Sequence, residues 1–389
     1  SYSDDPQIVA NFGTSFINGA QDHGLIACVK HFPGHGNTST DSHSSLPIIH
    51  GTRASLDSME LFPFQKALSA NLEMVMVGHI SLPSLDDSGN PASHSHAITT
   101  GLLRDEWGYD GIIITDGMEM GGLTESTWAG ESTVRAVEAG SDILLLPLNV
   151  DQAIDALLDA VNSGRISEDR IDESVRRIWK MKSKVGILNG NYQMPFDQLE
   201  KVIGIPEHQS KANDIAHKSI TIVKDDQDQL PLMPEKIDSL AHIIVSMDDG
   251  VRGYLKSFSK DIINTHGHVK EILINNQLSE LARKDVINQM KGVDKIIVSL
   301  LVRIRMDKGE ATIDSTHNVL LKRLNVEKIP YILSSFGSPY LPEYDHIPTY
   351  LCAYGYGGIS LKSMADAIWG RISIQGILPI DLNKTLKYK

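Results

Sequence analysis

The 389-residue sequence is long enough for two domains, and its composition of 41% apolar and 22% charged residues is ordinary for a chain that buries a full core. Its 36 Lys and Arg against 49 Asp and Glu give a net charge of −13, which makes nucleic acid and an anionic membrane poor candidates as partners. Its apolar runs are far shorter than the roughly 20 residues of a membrane span. Two cysteines, Cys28 and Cys352, exclude a disulfide scaffold and a Cys-rich metal site.

Up to about residue 185, short apolar runs alternate with amphipathic helical patterns. The runs are apolar nearly throughout, as parallel strands covered on both faces are, and they predict strands at residues 25–31, 74–79, 111–115 and 142–146. The predicted helices occupy residues 5–23, 58–70, 133–139, 153–163 and 167–184. This alternation predicts a parallel α/β unit, either a barrel or a doubly wound sheet.

Residues 186–212 are rich in Gly, Pro and Asn and break the periodicity, which predicts a linker. A second α/β unit is predicted over residues 213–389, after a first unit over residues 1–185. Its predicted strands lie at residues 219–224, 241–246, 295–302, 330–334 and 349–353.

The segment KHFPGHGNTSTDSHSSLP, which starts at Lys30, is the densest in residues able to carry chemistry. His31 and His35 have the spacing of a metal pair on a helix, but Pro33 and two glycines disfavour a helix and no carboxylate stands at HExxH spacing. We therefore expect no metal site. Asp41 and His43 are a better pair, because a carboxylate that holds an imidazole by one ring nitrogen makes the other a general acid/base. A solvated loop with an Asp cap is the alternative.

Asp116 directly follows a predicted buried strand, where parallel α/β proteins place nucleophiles and bases. It can equally serve as the N-cap of the next helix. Lys30 and His31 close the first strand, where sugar hydroxyls or a neighbouring Asp are suitable partners for their donors. The pair His94 and His96 is expected in a solvated loop.

Four segments in this order and spacing resemble family 3 glycoside hydrolases, on the branch of the bacterial β-N-acetylglucosaminidases: KHFPGHGNTSTDSH, MVMVGHI, GIIITDGMEM and RISEDRIDESVRRIWKMK. The resemblance implies a (β/α)8 TIM-like barrel followed by an α/β sandwich. Residues 1–185 would then be the C-terminal portion of the barrel, with its first strands missing. Residues 213–389 would be the sandwich.

The resemblance also implies roles for individual residues. Asp116 matches the nucleophile of a retaining mechanism, and His43 matches the acid/base, with Asp41 as its partner. Lys30 and His31 match positions that bind sugar hydroxyls. His79, after the strand MVMVGHI, is a further candidate for lining the site. The implied partner is a carbohydrate with a terminal β-linked N-acetylglucosamine, from muropeptides or chitin-type fragments, and neither a metal nor an organic cofactor is needed.

The sequence departs from the family pattern in three places. Asn37 stands where many relatives have Asp, and Gly117 stands where relatives often have Asp or Ala. Relatives also carry further residues before the position of Ser1, so we expect this chain to be a fragment that can be inactive alone. The compartment (cytoplasmic, or periplasmic or extracellular) and the oligomeric state stay open.

Three other functions stay open as well. A phosphorylase would use the same residues with phosphate in place of water, because a neutral imidazole repels an anionic acceptor less than a carboxylate does. A non-catalytic sugar-binding fragment would keep the loop without a working site. A β-glucosidase of the same superfamily would share the Asp116 segment but take its acid from the second domain.

Overall fold

The computed structural model describes residues 2–36, 38, 46–120, 123, 128–190, 196–246, 249–302, 313–341 and 343–382. The chain divides into two compact units, Ser1–Pro195 and Phe196–Lys389. The division falls inside the predicted linker at residues 186–212. Part of that segment is helical, because the helix Pro206–Ser219 starts within it.

The first unit contains a four-stranded sheet in which each strand pairs with the strand before it in the chain. All three pairings are parallel, which confirms the predicted alternation of strands and helices. The strands are β1 (Cys28–Phe32), β2 (Met74–Val77), β3 (Ile112–Gly117) and β4 (Ile143–Leu145). The sequence predicts Asp116 just after the strand. Because β3 extends to Gly117, Asp116 lies on the strand itself.

Helices flank the strands of the first unit. They are Pro6–Gln21, Arg53–Ser58, Phe62–Leu68, Ala97–Glu106, Ala129–Ala139, Val150–Asn162 and Glu168–Lys184. The single helix predicted over residues 58–70 is wrong at its start. Pro63 lies in the first turn of the second short helix, where its missing N–H and its ring end the helix before it. Ala97–Glu106, of π type, has no counterpart among the predicted helices.

The core of the first unit lies between the sheet and these helices. Phe32 at the end of β1 is fully buried, and its ring makes edge-to-face contacts with Phe64 at 5.4 Å and Trp107 at 5.8 Å between centroids. Val75 of β2 lies between Val29 and Ile113 on the neighbouring strands. This packing fixes the carboxyl ends of β1, β2 and β3 relative to one another.

The second unit contains a six-stranded sheet in the order β5-β10-β9-β8-β6-β7, in which only the pairing of β5 with β10 is antiparallel. Its strands are β5 (Thr221–Asp225), β6 (Leu240–Val245), β7 (Val269–Ile274), β8 (Lys295–Val302), β9 (Tyr331–Gly337) and β10 (Thr349–Cys352). Five of the six are predicted from sequence. The exception is the edge strand β7, where Lys270 and Glu271 interrupt the apolar run.

Apolar clusters cover both faces of this second sheet. The helices that supply them are Asp249–His266, Glu280–Met290, Ser315–Val326 and Gly358–Ile368. An α/β TIM-like unit followed by an α/β sandwich is therefore confirmed. Among the helices of the described ranges, none combines the length and the apolar character needed to cross a lipid bilayer.

Candidate active site

Three of the candidate residues come together at the carboxyl ends of the first three strands. His31 lies on β1, His79 follows β2, and Asp116 lies near the end of β3. The Nε2 atom of His31 is 3.4 Å from Oδ2 of Asp116, although β2 lies between their strands. The imidazole and the carboxylate therefore face the same space at the sheet's edge.

The Asp116 carboxylate is held in place but not closed off. Its side chain is 16% exposed. Oδ1 accepts a hydrogen bond of 2.8 Å from the backbone N–H of Gly117, and Oδ2 faces His31. A half-buried carboxylate with one oxygen fixed by the backbone and the other beside an imidazole can act as a nucleophile or as a base. Glu119, three residues later, is exposed.

Lys30 and His31 differ in their exposure. Lys30 is exposed on the edge strand β1, so its ammonium group is available to a ligand. The side chain of His31 is 29% exposed, and its ring lies 6.0 Å from the ring of His35 in an edge-to-face arrangement. The peptide bond between Lys30 and His31 and the one between Phe32 and Pro33 are both cis.

His79, predicted as a further candidate for lining the site, lies behind the Asp116 strand. It is 1% exposed, and both ring nitrogens are engaged by the protein. Nδ1 is 2.7 Å from Oγ of Ser93, and Nε2 is 3.1 Å from the carbonyl oxygen of Gly117. Burial lowers the pKa of His79, although the Gly117 carbonyl and the Asp116 charge act in the opposite direction. The ring is therefore neutral behind the Asp116 strand.

The segment around His94 contradicts its prediction as a solvated loop. Residues Ala92–His94 form a short 3-10 turn in which Ser93 is fully buried and His94 is 8% exposed. Nε2 of His94 lies 3.0 Å from Oγ of Ser132, and burial lowers the pKa of His94 to about 4. Only His96 is exposed as predicted. Sequence reasoning missed this turn because its partners lie far away in the chain.

Asp41 and His43, together with Asn37, lie outside the described residues. The described residues before and after them in the sequence are fixed near the site. Before it, His35 contacts the ring of His31. After it, the backbone of residues 47–49 bonds to Ser81, two residues beyond His79: Ser81 N donates to the Pro47 carbonyl at 2.9 Å, and Ile49 N donates to the Ser81 carbonyl at 2.9 Å.

Comparison with known proteins gives the chain a family. Residues 1–181 match the sequence model of the glycosyl hydrolase family 3 N-terminal domain. Over 433 aligned residues the chain is 25% identical to a beta-hexosaminidase A of Pseudoalteromonas piscicida, an alignment that covers 98% of this chain and 70% of that protein. It is also 25% identical over 405 residues to a beta-N-acetylglucosaminidase/beta-glucosidase of Cellulomonas fimi, with 98% and 70% covered.

A solved structure agrees with the sequence matches. The glycoside hydrolase family 3 beta-N-acetylglucosaminidase from Paenibacillus sp. str. FPU-7 superposes with a TM-score of 0.81 at 28% identity, covering 97% of this chain and 71% of that one. The relatives and the fold agree over nearly the whole chain, and the family model agrees with them over residues 1–181. Residues 1–181 therefore belong to glycoside hydrolase family 3, and the chain is a glycoside hydrolase.

Proposed function

We propose that this protein is a retaining exo-β-N-acetylglucosaminidase that removes terminal β-linked N-acetylglucosamine from muropeptides or chitin-type fragments. The names of its relatives support the sugar, since the relatives of Pseudoalteromonas piscicida and Cellulomonas fimi and the Paenibacillus structure are named for hexosamine substrates. The observation that carries the proposal is the 3.4 Å approach of His31 Nε2 to Asp116 Oδ2. It brings a carboxylate and a hydrogen-bonding group together in a partly exposed site.

Asp116 is the proposed nucleophile. One of its carboxylate oxygens attacks the anomeric carbon while the bond to the leaving-group oxygen breaks, and that oxygen takes a proton from His43. Water then attacks the glycosyl-enzyme and gives a proton back to His43, which frees the sugar with its β configuration retained. Asp41 orients the His43 ring in this scheme, and Lys30 and His31 hold sugar hydroxyls.

The surroundings of Asp116 support this assignment. The Gly117 N–H fixes one carboxylate oxygen, which leaves the other to react. His35 contacts the ring of His31, and the backbone of residues 47–49 bonds to Ser81, so the described residues before and after Asp41 and His43 pack against elements that end at the same edge of the sheet. The proposal assigns the general acid to His43, between these two flanks in the sequence.

The test is to trap the intermediate. A 5-fluoro β-N-acetylglucosaminyl donor with a good leaving group slows the second step, so the protein should gain the mass of one sugar on the peptide that contains Asp116. Asp116→Ala should reduce turnover of a chromogenic β-N-acetylglucosaminide on the order of 10³-fold or more. Azide should restore turnover in this variant and give the α-glycosyl azide. The matched control is Glu119→Gln, which changes an exposed carboxylate three residues after Asp116.

Each other outcome has a defined meaning. Turnover that persists in Asp116→Ala would refute the nucleophile assignment. Release of the sugar 1-phosphate in phosphate buffer would identify a phosphorylase. Preference for a β-glucoside over a β-N-acetylglucosaminide would identify a β-glucosidase. Saturable binding of N-acetylglucosamine with no turnover of any of these sugars would favour the non-catalytic binder.

A further inference from the structure

Two adjacent residues of a short turn at residues 91–95 make buried hydrogen bonds toward the two ends of the segment that follows Asp116. Ser93 acts through His79, which contacts Gly117, and His94 contacts Ser132 directly. The four side chains involved are almost completely buried, with exposures of 1% for His79, 0% for Ser93, 8% for His94 and 4% for Ser132. Ser93 bonds to His79, and the adjacent His94 bonds to Ser132. We call these four residues the serine–histidine clamp.

One end of the clamp holds the backbone next to Asp116. A carbonyl oxygen only accepts, so the contact of 3.1 Å to the Gly117 carbonyl requires that Nε2 of His79 carries the proton. In the neutral ring Nδ1 is then the acceptor, and the Ser93 hydroxyl donates to it over 2.7 Å. Ser93 thus fixes the tautomer that His79 needs in order to hold Gly117.

Gly117 is the residue through which this contact reaches the carboxylate. Its N–H donates to Oδ1 of Asp116, and its carbonyl accepts from His79 and, at 3.1 Å, from the N–H of Met120. A glycine has no side chain that would limit its φ and ψ angles. The hydrogen bonds of its two peptide groups therefore restrict these angles and set the direction of the N–H that holds Asp116.

The other end of the clamp holds the helix that follows. Ser132 lies in the first turns of the helix Ala129–Ala139, and its Oγ is 3.0 Å from Nε2 of His94. Both His79 and His94 have pKa values lowered by burial, so both rings stay neutral around neutral pH. Two adjacent residues of one turn thus fix the start and the end of the segment between residues 117 and 132.

We propose that the serine–histidine clamp positions the Asp116 carboxylate for attack by fixing both ends of the segment that follows it. The inference rests on the proposed role of Asp116 as the nucleophile. His79, Ser93, His94 and Ser132 are positioning residues in this scheme, because all four are buried and act through the backbone that follows Asp116. Their loss should therefore lower kcat and leave KM nearly unchanged.

The test compares a disruptive with a conservative variant at His79. His79→Met removes the donor to Gly117 and should lower kcat roughly 10²-fold, since a misplacement of about 1 Å in a catalytic group costs that much. His79→Gln keeps an N–H near the position of Nε2 and should recover most of the loss. Ser93→Ala and Ser132→Ala remove one hydroxyl each, change little volume and should lower kcat by smaller factors.

A control and a second readout separate positioning from stability. Ser174→Ala removes a buried hydrogen bond of 2.7 Å to Asp142, away from the clamp, and should lower stability without changing kcat. Hydrogen exchange should accelerate at the Met118 and Met120 amides in His79→Met but not in Ser174→Ala, and this readout needs no turnover.

Three outcomes would overturn the inference. One is an unchanged kcat in all clamp variants alongside loss of turnover in Asp116→Ala. This result would support Asp116 as the nucleophile and refute the positioning role of the clamp. Another is a rise in KM alone, which would mean that His79 contacts the sugar. The third is unchanged exchange at Met118 and Met120. If His79→Met does not fold, the kcat values of Ser93→Ala and Ser132→Ala test the inference. Turnover that survives in Asp116→Ala counts against the proposed function and not against the clamp.

Discussion

Asp142 is the most heavily paired carboxylate in the described part of the first unit. Its side chain is fully buried just before β4. It lies 2.6 Å from Arg104, 3.3 Å from Arg177 and 3.8 Å from Arg170. It also accepts from the backbone N–H of Ile113 at 2.9 Å, which ties the start of β4 to β3. One carboxylate thus lies within 4 Å of three guanidinium groups at the amino ends of the strands.

Asp142→Asn should destabilise the protein by about 3–5 kcal/mol, because it removes the carboxylate that pairs with the largely buried guanidinium groups of Arg104 and Arg170. The side chain keeps its size, so the loss reports on charge and hydrogen bonding. The matched control is Asp110→Asn. Asp110 pairs with the same Arg177 at 3.3 Å but is 77% exposed, so its loss should cost less than about 1 kcal/mol. Urea unfolding of both variants measures the difference, and equal losses would contradict the expectation.

Individual site residues differ in how far the sequence predicts them. Asp116 is predictable because it ends an apolar run, and the carboxyl ends of parallel strands are where functional side chains gather. The contacts of His79 with Ser93 and of His94 with Ser132 are not predictable in this way. They join residues 14 and 38 positions apart, and no periodicity marks such a pair. A serine-rich segment such as residues 91–95 reads as solvated until its packing is known.

Among the elements, the helix Glu168–Lys184 best illustrates control by local sequence. Ser167 caps it by accepting a hydrogen bond of 3.2 Å from the N–H of Arg170. Glu168 and Asp169 occupy its first turn, and Lys182 and Lys184 its last turn, which complements the helix dipole at both ends. Its bounds therefore agree with the prediction over residues 167–184 almost to the residue.

Ser167→Ala should cost about 1 kcal/mol, because the N–H of Arg170 loses its partner. Ser183→Ala is the matched control in the same helix. Ser183 is exposed in the last turn, and alanine is the better helix former, so this variant should be neutral or slightly stabilising. Thermal unfolding of the two variants provides the comparison. A loss in Ser183→Ala as large as in Ser167→Ala would show that the cap is not the cause.

The other elements show where local reading fails. β3 is predictable because Ile112, Ile113 and Ile114 are all buried between layers. β7 is not, because an edge strand is half solvated and carries charged residues such as Lys270. The helix predicted over residues 58–70 begins only at Phe62, because Pro63 cannot continue a helix from the residues before it despite their amphipathic pattern.

At the scale of the whole molecule, buried neutral histidines occur in both units. His79 and His94 lie in the first, and His242 lies in the second. His242 is fully buried between Ser259 at 2.8 Å and Ser299 at 2.6 Å, and burial lowers its pKa from 6.5 to about 3. Because these rings take up a proton more readily in the unfolded chain, their contribution to stability is complete above pH 6.5 and is lost as the pH falls toward the lowered values.

We therefore expect the free energy of unfolding to fall by at most about 1.4 kcal/mol per pH unit for each such histidine as the pH is lowered from about 7 to about 5, and the melting temperature to fall with it. His242→Gln should flatten this dependence, because glutamine offers a donor and an acceptor to the two serines but does not titrate. His50→Gln replaces an exposed histidine and is the matched control. Calorimetry at the two pH values tests this, and equal slopes for the wild type and His242→Gln would refute it.

The order of the strands has a consequence for how the chain folds during synthesis. In the first unit every strand pairs with the one made just before it, so the sheet can grow strand by strand as the chain leaves the ribosome. In the second unit β5, made first, pairs with β10, made last. Since closing such a long loop is slow, β5 waits for its partner until translation has passed Cys352. Early termination within the second unit would therefore leave the sheet of the first unit intact. The second unit would lack β10, the strand that pairs with both β5 and β9.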